Sequence, residues 1–431
     1  MKLLVIGSGA REHALAWRLA RDGSAREILC APGNAGVEDS ARVVPVDAGD
    51  PQAVFALAER EQADLTVVGP ELPLTRGVAD LFAARGRLLL GPTRLAAELE
   101  SSKAFAKEFM ARHRVPTARY QVCESPEVAL AVLATRQFGY PVVVKADGLA
   151  AGKGVVVAAD HLAASLAIRA MMIDRRFGDA GARIVIEEFM EGQEASVFAL
   201  TDGRRAVLLP TAQDHKRAFD GDQGPNTGGM GAFAPSPLVD DQMMDLIRDT
   251  IILPVIDGMR AEGREFRGFL YAGLMLTAEG PKVVEFNVRM GDPEAQVVLP
   301  MIDGELAPLL RGAAAGRLGQ DSCRVRDWPR VGVVMASAGY PDHYETGKPI
   351  SGLGAAAEVP GVVVFHAGTA RRGADIVTAG GRVLTVVAEG QDYRQAVSRA
   401  YEGARRIAFD GAFMRKDIGQ KAIRDRSGLM P

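Results

Sequence analysis

Within residues 1–100 one pattern repeats: a short apolar run closes on a glycine-rich turn, and a helical stretch often follows. The runs occupy residues 3–6, 28–30, 43–46, 65–68 and 88–90. Four of them lead into the turns GSGAREH, APGNAG, GPELP and GPT. Apolar strands that alternate with helices predict a parallel, doubly wound sheet covered on both faces. Asp50 and Pro51 read as N-cap and first residue of one such helix, running to about Gln62. Ligands of such sheets bind beyond the carboxyl ends of the strands, where these turns lie. The first turn, from Gly7 to Glu12, departs from the dinucleotide pattern, because Glu12 stands where a third small residue belongs. Two glycines at a helix start, with Arg11 beside them, still suit a single phosphate.

A chain of 431 residues exceeds one hydrophobic core, so roughly two to four domains are expected. The formal net charge of -3 argues against a general nucleic-acid binder. Cys30, Cys123 and Cys323 are too few and too scattered for a disulfide framework or a zinc site. The opening apolar run is too short for a signal segment, and no run approaches a membrane span. A soluble cytoplasmic protein is expected.

Chemistry concentrates further along. Residues 283–296, VVEFNVRMGDPEAQ, read as a strand stopped by Gly291, Asp292 and Pro293. Alternation puts Glu285, Asn287 and Arg289 on one face and Phe286 and Val288 on the other. Carboxylate and amide oxygens suit Mg²⁺, and an arginine beside them can hold a phosphoryl or carboxylate group. The apolar run 269–276 predicts a hairpin partner for this strand. Upstream, Lys145 ends an apolar strand and leads into ADGLAAGKG, then into another strand. The spacing misses a Walker loop by one residue, and a strand follows where a helix would. The expectation is a glycine hairpin whose amides, with Gly152, Lys153 and Gly154, close over phosphates. Ser102 caps a helix beginning at Lys103. A further strand ends near Ile186 and leads into an acidic, aromatic hinge through Glu187, Phe189 and Glu194. Residues 213–231 form a long charged glycine-rich loop, and loops of this length are usually functional. Its Asp214, His215, Lys216 and Arg217 can reach a small zwitterion, with His215 read as a structural partner before a base. Residues 331–431 read as a separate α+β unit with one amphipathic helix, from Tyr393 to Ile407, and no catalytic constellation.

A lysine-based glycine flap, a hinge, a polar loop and a Glu/Asn/Arg strand face favour ATP–Mg²⁺ chemistry run by positioning and charge neutralisation. A nicotinamide-dependent oxidoreductase is the rival from another class, and Glu12 argues against it. The chain closely resembles the phosphoribosylamine–glycine ligases, also called glycinamide ribonucleotide synthetases, of the ATP-grasp superfamily. The resemblance rests on GSGAREHALAW, SSKAFAKEFM, KADGLAAGKGV, QDHKRAFDGDQGPNTGGMGAF, VEFNVRMGDPEAQ and RKDIG at 415–419. Met290 stands where the family more often has phenylalanine. A carboxyaminoimidazole ribonucleotide synthetase is the alternative within the fold.

The resemblance implies an α/β and α+β multidomain protein in five segments. They are a substrate-binding domain with the parallel sheet (1–102), a linker helix (103–120), a small lid (121–192), the central ATP-grasp domain (193–327) and a C-terminal α+β domain (328–431). It implies phosphorylation of glycine by ATP and attack of the amine of 5-phosphoribosylamine on glycyl phosphate. Lys103, Lys145, Gly152, Lys153, Gly154, Glu187, Phe189, Glu194 and Met275 would surround ATP. Glu285 and Asn287 would hold Mg²⁺ or Mn²⁺. Asp214, Lys216, Arg289 and Asp292, with Lys145, would serve the glycine and the transferred phosphoryl group. Gly9, Arg11, Glu12, Asn34 and Glu71 would serve the phosphoribosyl side. The expected partners are these small molecules, with no nucleic acid or membrane, and the expected working unit is a monomer.

Overall fold

The structure, a computed structural model, describes residues 1–150, 154–319 and 323–427, with side chains through residue 424. Strand Lys2–Gly7 is the centre of the first sheet, parallel to Glu27–Pro32 on one side and Leu65–Val68 on the other. Arg42–Val43 and Leu89–Leu90 form its two edges, also parallel. Leu3, Leu4, Val5 and Ile6 are fully buried, as a strand covered on both faces requires. Helix Pro51–Arg60 starts where expected, with the Asp50 carboxylate accepting from the Gln52 amide at 2.9 Å.

A second, antiparallel sheet has the order Tyr120–Cys123, Ile184–Glu188, Val142–Ala146, Val155–Ala158. Helices Pro126–Thr135 and His161–Ile168 join it around a small core of its own. The last two strands form the predicted glycine hairpin, and the amide of Ala146 donates to the carbonyl of Gly154 at 2.8 Å. Gly152 and Lys153 lie outside the described residues.

The central sheet runs Ala206–Leu208, Gln193–Asp202, Arg267–Thr277, Gly280–Asn287, antiparallel throughout. The hairpin expected for residues 269–276 is its last pair. The C-terminal region is not self-contained. Its sheet runs Gln213–Asp214, Gly231–Ala234, Arg330–Ser337, Arg382–Glu389, Val362–His366, so the two ends of the glycine-rich loop supply its first two strands. A boundary at 327/328 therefore cuts a continuous sheet. The reason is local: Gly231, Ala232, Phe233 and Ala234 are all buried, and the apolar strand Arg330–Ser337 covers them. Helix Tyr393–Arg406 packs on this sheet through Ala396, Ala400 and Ala404. Among the described residues no helix is long and apolar enough to cross a membrane.

Candidate active site

The strand Gly280–Asn287 meets its expectation for Glu285 and Asn287 but ends two residues before Arg289, which lies in the bend that follows. Phe286 and Val288 are buried, while Glu285, Asn287 and Arg289 remain partly accessible. A bulge opposite the step from Gly273 to Leu274 adds one residue, Val284, to the strand. The Val284 carbonyl accepts from Lys145 Nζ at 3.1 Å, which ties the lid strand to the central hairpin. Gly273 stands opposite Glu285, and the Tyr271 ring lies over the place its side chain would take, 3.2 Å from an added Cβ.

Three lysines approach, two from a helix and one from the lid sheet. Lys103 and Lys107 sit one turn apart on helix Lys103–Arg112, which Ser102 caps by accepting from the Phe105 amide at 3.1 Å. Glu187, only 1% exposed, takes Lys107 Nζ and Lys145 Nζ at 2.9 Å each, one on each carboxylate oxygen. Burial pulls the Lys107 ammonium down to about 8, with Glu187 opposing that pull. Lys107 also donates to Thr117 Oγ1 at 2.8 Å. Burial lowers Lys103 as well, against the nearby Glu285, and its Nζ reaches the Gly148 carbonyl at 3.5 Å.

The glycine-rich loop delivers a fourth. Lys216 Nζ lies 2.8 Å from Glu194 Oε2 and 3.9 Å from Glu285 Oε1. Burial would lower its pKa, but Glu194, Asp214 and Glu285 outweigh it and hold the group well above its ordinary value. Glu285 in turn is raised by burial and lowered more by Lys216, Lys145 and Lys103, so it stays ionised below the usual range. Burial pushes Asp214 up to about 8, with Lys216 opposing and Glu294 adding to the rise. Glu294 is buried and raised for the same reason, and it accepts from Ser196 Oγ at 3.2 Å. Ser196 in turn meets the Tyr271 hydroxyl at 3.1 Å.

Residues 289–292 are where three regions meet. Arg289 places Nε 3.1 Å from Glu71 and Nη2 2.8 Å from Glu100, so its fork is engaged by two carboxylates of the N-terminal region. Burial raises Glu71, but Arg289 and Arg11 outweigh it and bring the carboxylate to about 2. Arg11 donates to the Met290 carbonyl at 3.2 Å, and Asp292 borders Gly9, where an added Cβ would lie 3.6 Å from Oδ2. Arg382, from the C-terminal sheet, donates through Nη1 to the carbonyls of Gly228 and Asp292, both at 2.7 Å, and pairs with the Asp292 carboxylate at 3.3 Å. The C-terminal unit, expected to carry no catalytic constellation, therefore reaches into the site.

Two expected ligand groups are engaged within the protein. Glu12 turns back on its own turn, accepting from the Gly9 amide and from Arg11 Nε at 2.6 Å each. The space it fills is left by Gly7 and Gly69, where a Cβ would clash with it. That explains the departure from the dinucleotide pattern: the carboxylate closes the loop from inside. The Asn34 amide donates to the carbonyls of Ser8 and His366 at 2.9 and 2.7 Å, joining the N- and C-terminal regions. His215 is buried with neither ring nitrogen hydrogen-bonded, and burial beside Arg415 lowers it to about 4, so the ring is neutral. Phe189 is exposed on the hinge, and Met275 pairs across the sheet with Glu194. Lys107, Glu100, Ser196, Tyr271, Glu294 and Arg382 were not singled out in the sequence. Lys107 carried a signal, the four-residue spacing from Lys103 on one helix face. Glu100 and Arg382 carried none, because their partners lie more than a hundred residues away or in another unit.

Models of phosphoribosylglycinamide synthetase match the chain in three consecutive parts: the N domain over residues 1–100, the ATP-grasp (A) domain over 101–295 and the C domain over 330–421. The chain belongs to the phosphoribosylglycinamide synthetase family. The phosphoribosylamine–glycine ligase of Xanthomonas axonopodis pv. citri is 51% identical over 428 residues, 98% of each chain. The crystal structure of the phosphoribosylamine–glycine ligase of Thermotoga maritima superposes with a TM-score of 0.84 at 34% identity, covering 97% of this chain and all of that one. The biotin carboxylase domain of Hydrogenobacter thermophilus 2-oxoglutarate carboxylase, solved with MgADP and bicarbonate, shares the fold, with a TM-score of 0.73 at 17% identity over 96% of this chain and 91% of that one. The expected fold class and the expected ATP-grasp ligase of purine biosynthesis, joining glycine to 5-phosphoribosylamine, both stand. In this synthetase Met290 is 3% exposed and packs in the main core with Leu15, Phe269 and Leu299, as its reading as a packing exchange for phenylalanine expects.

Proposed function

We propose that this synthetase forms glycyl phosphate and couples it to 5-phosphoribosylamine at the Glu285 face, with the residues divided as follows. Lys103, Lys145, Glu187, Phe189, Glu194 and Met275 receive ATP, together with Gly152, Lys153 and Gly154 of the hairpin. Glu285 and Asn287 hold the metal, Mg²⁺ or Mn²⁺, whose oxygen donors they match. Bound there, the metal supplies charge neutralisation for the phosphate oxygens. Asp214 and Lys216 receive glycine. Arg289 and Asp292 stand between glycine and the phosphoribosyl side, which Gly9, Arg11 and Glu71 border. Glu12 and Asn34 support that side by shaping the loop and do not touch the ligand. The substrates are small molecules. The working unit in this reading is one cytoplasmic chain.

The observation that carries this reading is the setting of Glu285. One ionised carboxylate from the central hairpin faces Lys103 from a helix, Lys145 from the lid and Lys216 from the loop. Three cations converging on one carboxylate from three elements prepare a place for a polyanion and its metal. Lysines also take a phosphoryl oxygen in any orientation, as point charges.

Among the described residues no group of three or more His, Cys, Asp or Glu side chains is arranged to hold a metal by itself. Glu285 and Asn287 bring a single negative charge, and Mg²⁺ gives up water reluctantly. The metal therefore enters with ATP, and the two affinities are reciprocally coupled. Calorimetry of the nucleotide-free enzyme is expected to show no stoichiometric Mg²⁺ or Mn²⁺ binding. ATP affinity is expected to rise at least about tenfold with metal, a gain lost in Glu285→Ala. Tight metal binding without nucleotide, abolished in Glu285→Ala, would overturn the coupling.

A further inference from the structure

The segment Arg415–Lys416–Asp417–Ile418–Gly419 lies at the far end of the chain, and none of the roles above uses it. Its side chains nevertheless end inside the glycine-rich loop. Arg415 is 1% exposed, the largest fully buried side chain of the molecule. Its Nη1 donates to the carbonyl of Arg217 and to Asp222 Oδ1, both at 3.0 Å. Its Nε and Nη2 donate to the two oxygens of Asp417 at 2.8 and 2.7 Å. Asp417 also accepts from the Gly221 amide at 2.9 Å, and the Lys416 amide donates to Asp220 at 2.7 Å. Lys421 adds a second cation to Asp222 at 2.8 Å. Tyr401 fixes the segment from behind, donating to the Arg415 carbonyl at 2.8 Å and accepting from the Ile418 amide at 2.9 Å.

The loop needs such a support. Residues 219–225 are all exposed, and with Phe219 beside Phe413, ring centroids 6.5 Å apart, only weak apolar packing reaches the tip. Gly221, Asp222 and Gly224 have φ values of 67°, 55° and 82°, and a left-handed Asp222 persists only where its surroundings enforce it. A guanidinium takes the place of a core: the chain from Arg217 to Asp222 wraps around it. Arg217, whose carbonyl it grips, follows Lys216 directly. On the opposite strand of the loop Thr227 grips the carbonyl of Lys216 itself, through its amide at 2.7 Å and its hydroxyl at 2.9 Å.

We propose that the Arg415–Asp417 clamp is a positioning device that sets where Lys216 and Asp214 stand relative to Glu285, so that glycine capture depends on the C-terminal segment. Arg415, Asp417 and Asp222 touch no reacting atom. They act through the backbone of the loop, and ATP, held mainly by residues outside it, depends on them little. The proposal rests on the reading of Lys216 and Asp214 as the glycine side of the site.

The test compares Asp222→Asn and Asp417→Asn, near-isosteric changes at partly exposed carboxylates, with Asp222→Glu and Lys216→Met. Steady-state ADP release gives kcat and the KM for glycine, calorimetry gives ATP–Mg²⁺ affinity, and thermal unfolding gives Tm. The two Asn variants are expected to raise the KM for glycine about tenfold, with ATP affinity within about twofold and Tm nearly unchanged, and Asp222→Glu recovers part of the loss. An unchanged KM for glycine, or losses in glycine and ATP that track a lower Tm, would overturn the clamp. Lys216→Met separates the premises. If it stays active, the reading of the glycine side fails. If it is inactive while both Asn variants behave as wild type, the clamp alone fails.

Discussion

Two charged clusters flank the Glu285 face, and they are balanced in opposite senses. In one, a single carboxylate, Glu187, sits between Lys107 and Lys145, with all three side chains at or below 6% exposure. In the other, a single ammonium, Lys216, sits among Glu194, Asp214 and Glu285, with Lys216 and Glu194 29% and 44% exposed. The first cluster is dry, its members are paired with one another, and its surplus is positive. The second is open at Lys216 and Glu194 and its surplus is negative; Asp214, which burial pushes up to about 8, is held there by its buried position first and by the neighbouring carboxylates second, against Lys216. A positive surplus beside the glycine hairpin suits phosphates. A negative surplus beside the polar loop suits a metal and an ammonium group. On the proposed assignment, electrostatics divides one cleft into an ATP side and an amino-acid side that meet at Glu194 and Glu285.

The largest expected effect tests the open cluster. Lys216→Met leaves three carboxylates without their shared cation, and kcat/KM for glycine is expected to fall about a thousandfold, or about 4 kcal/mol of barrier. ADP release in the presence of both substrates measures it. A loss below about tenfold would mean that the loop cation is not part of the chemistry.

Next comes the dry cluster, where the cost is expected in stability. Glu187→Gln leaves Lys107 and Lys145 facing each other without a buried counter-charge and is expected to destabilise the fold by about 3 kcal/mol in denaturant unfolding. Glu194→Gln, at an exposed carboxylate, is expected to cost less than about 1 kcal/mol. Equal costs for the two would erase the distinction between a closed and an open cluster.

The smallest effect is a pH dependence. Asp214 binds its proton far more tightly in the native state than in the unfolded chain, with a native value of about 8. Its contribution to stability is therefore complete below the ordinary carboxylate range and is lost as pH rises through about 8. The ionised form, which on the proposed assignment receives an ammonium group, grows in over the same interval. The kcat/KM for glycine is expected to rise about tenfold through this titration, and Asp214→Asn to flatten the profile. A profile unchanged in Asp214→Asn would assign the titration to another group.

Much of this was decided by local sequence. Alternation along residues 285–288 places Glu285 and Asn287 on the side opposite Phe286 and Val288, because an extended chain has a period of two, and Arg289 follows just beyond the strand's end. The parallel order of the first sheet follows from apolar runs separated by helices, and the start of helix Pro51–Arg60 from Asp50 and Pro51. The tertiary structure decided who meets whom. Glu12 looked like an obstacle to a ligand and is the cap of its own loop, because Gly7 and Gly69 leave room for it. Arg289, expected to hold a phosphoryl or carboxylate group, is forked between Glu71 and Glu100, which stand at the ends of other elements. Arg382 and Arg415, to which the sequence assigned no role, hold the two halves of the glycine-rich loop. Periodicity is a property of neighbours along the chain, so sequence carries it. Ion pairs across one to three hundred residues depend on how the units dock, and no local pattern encodes that.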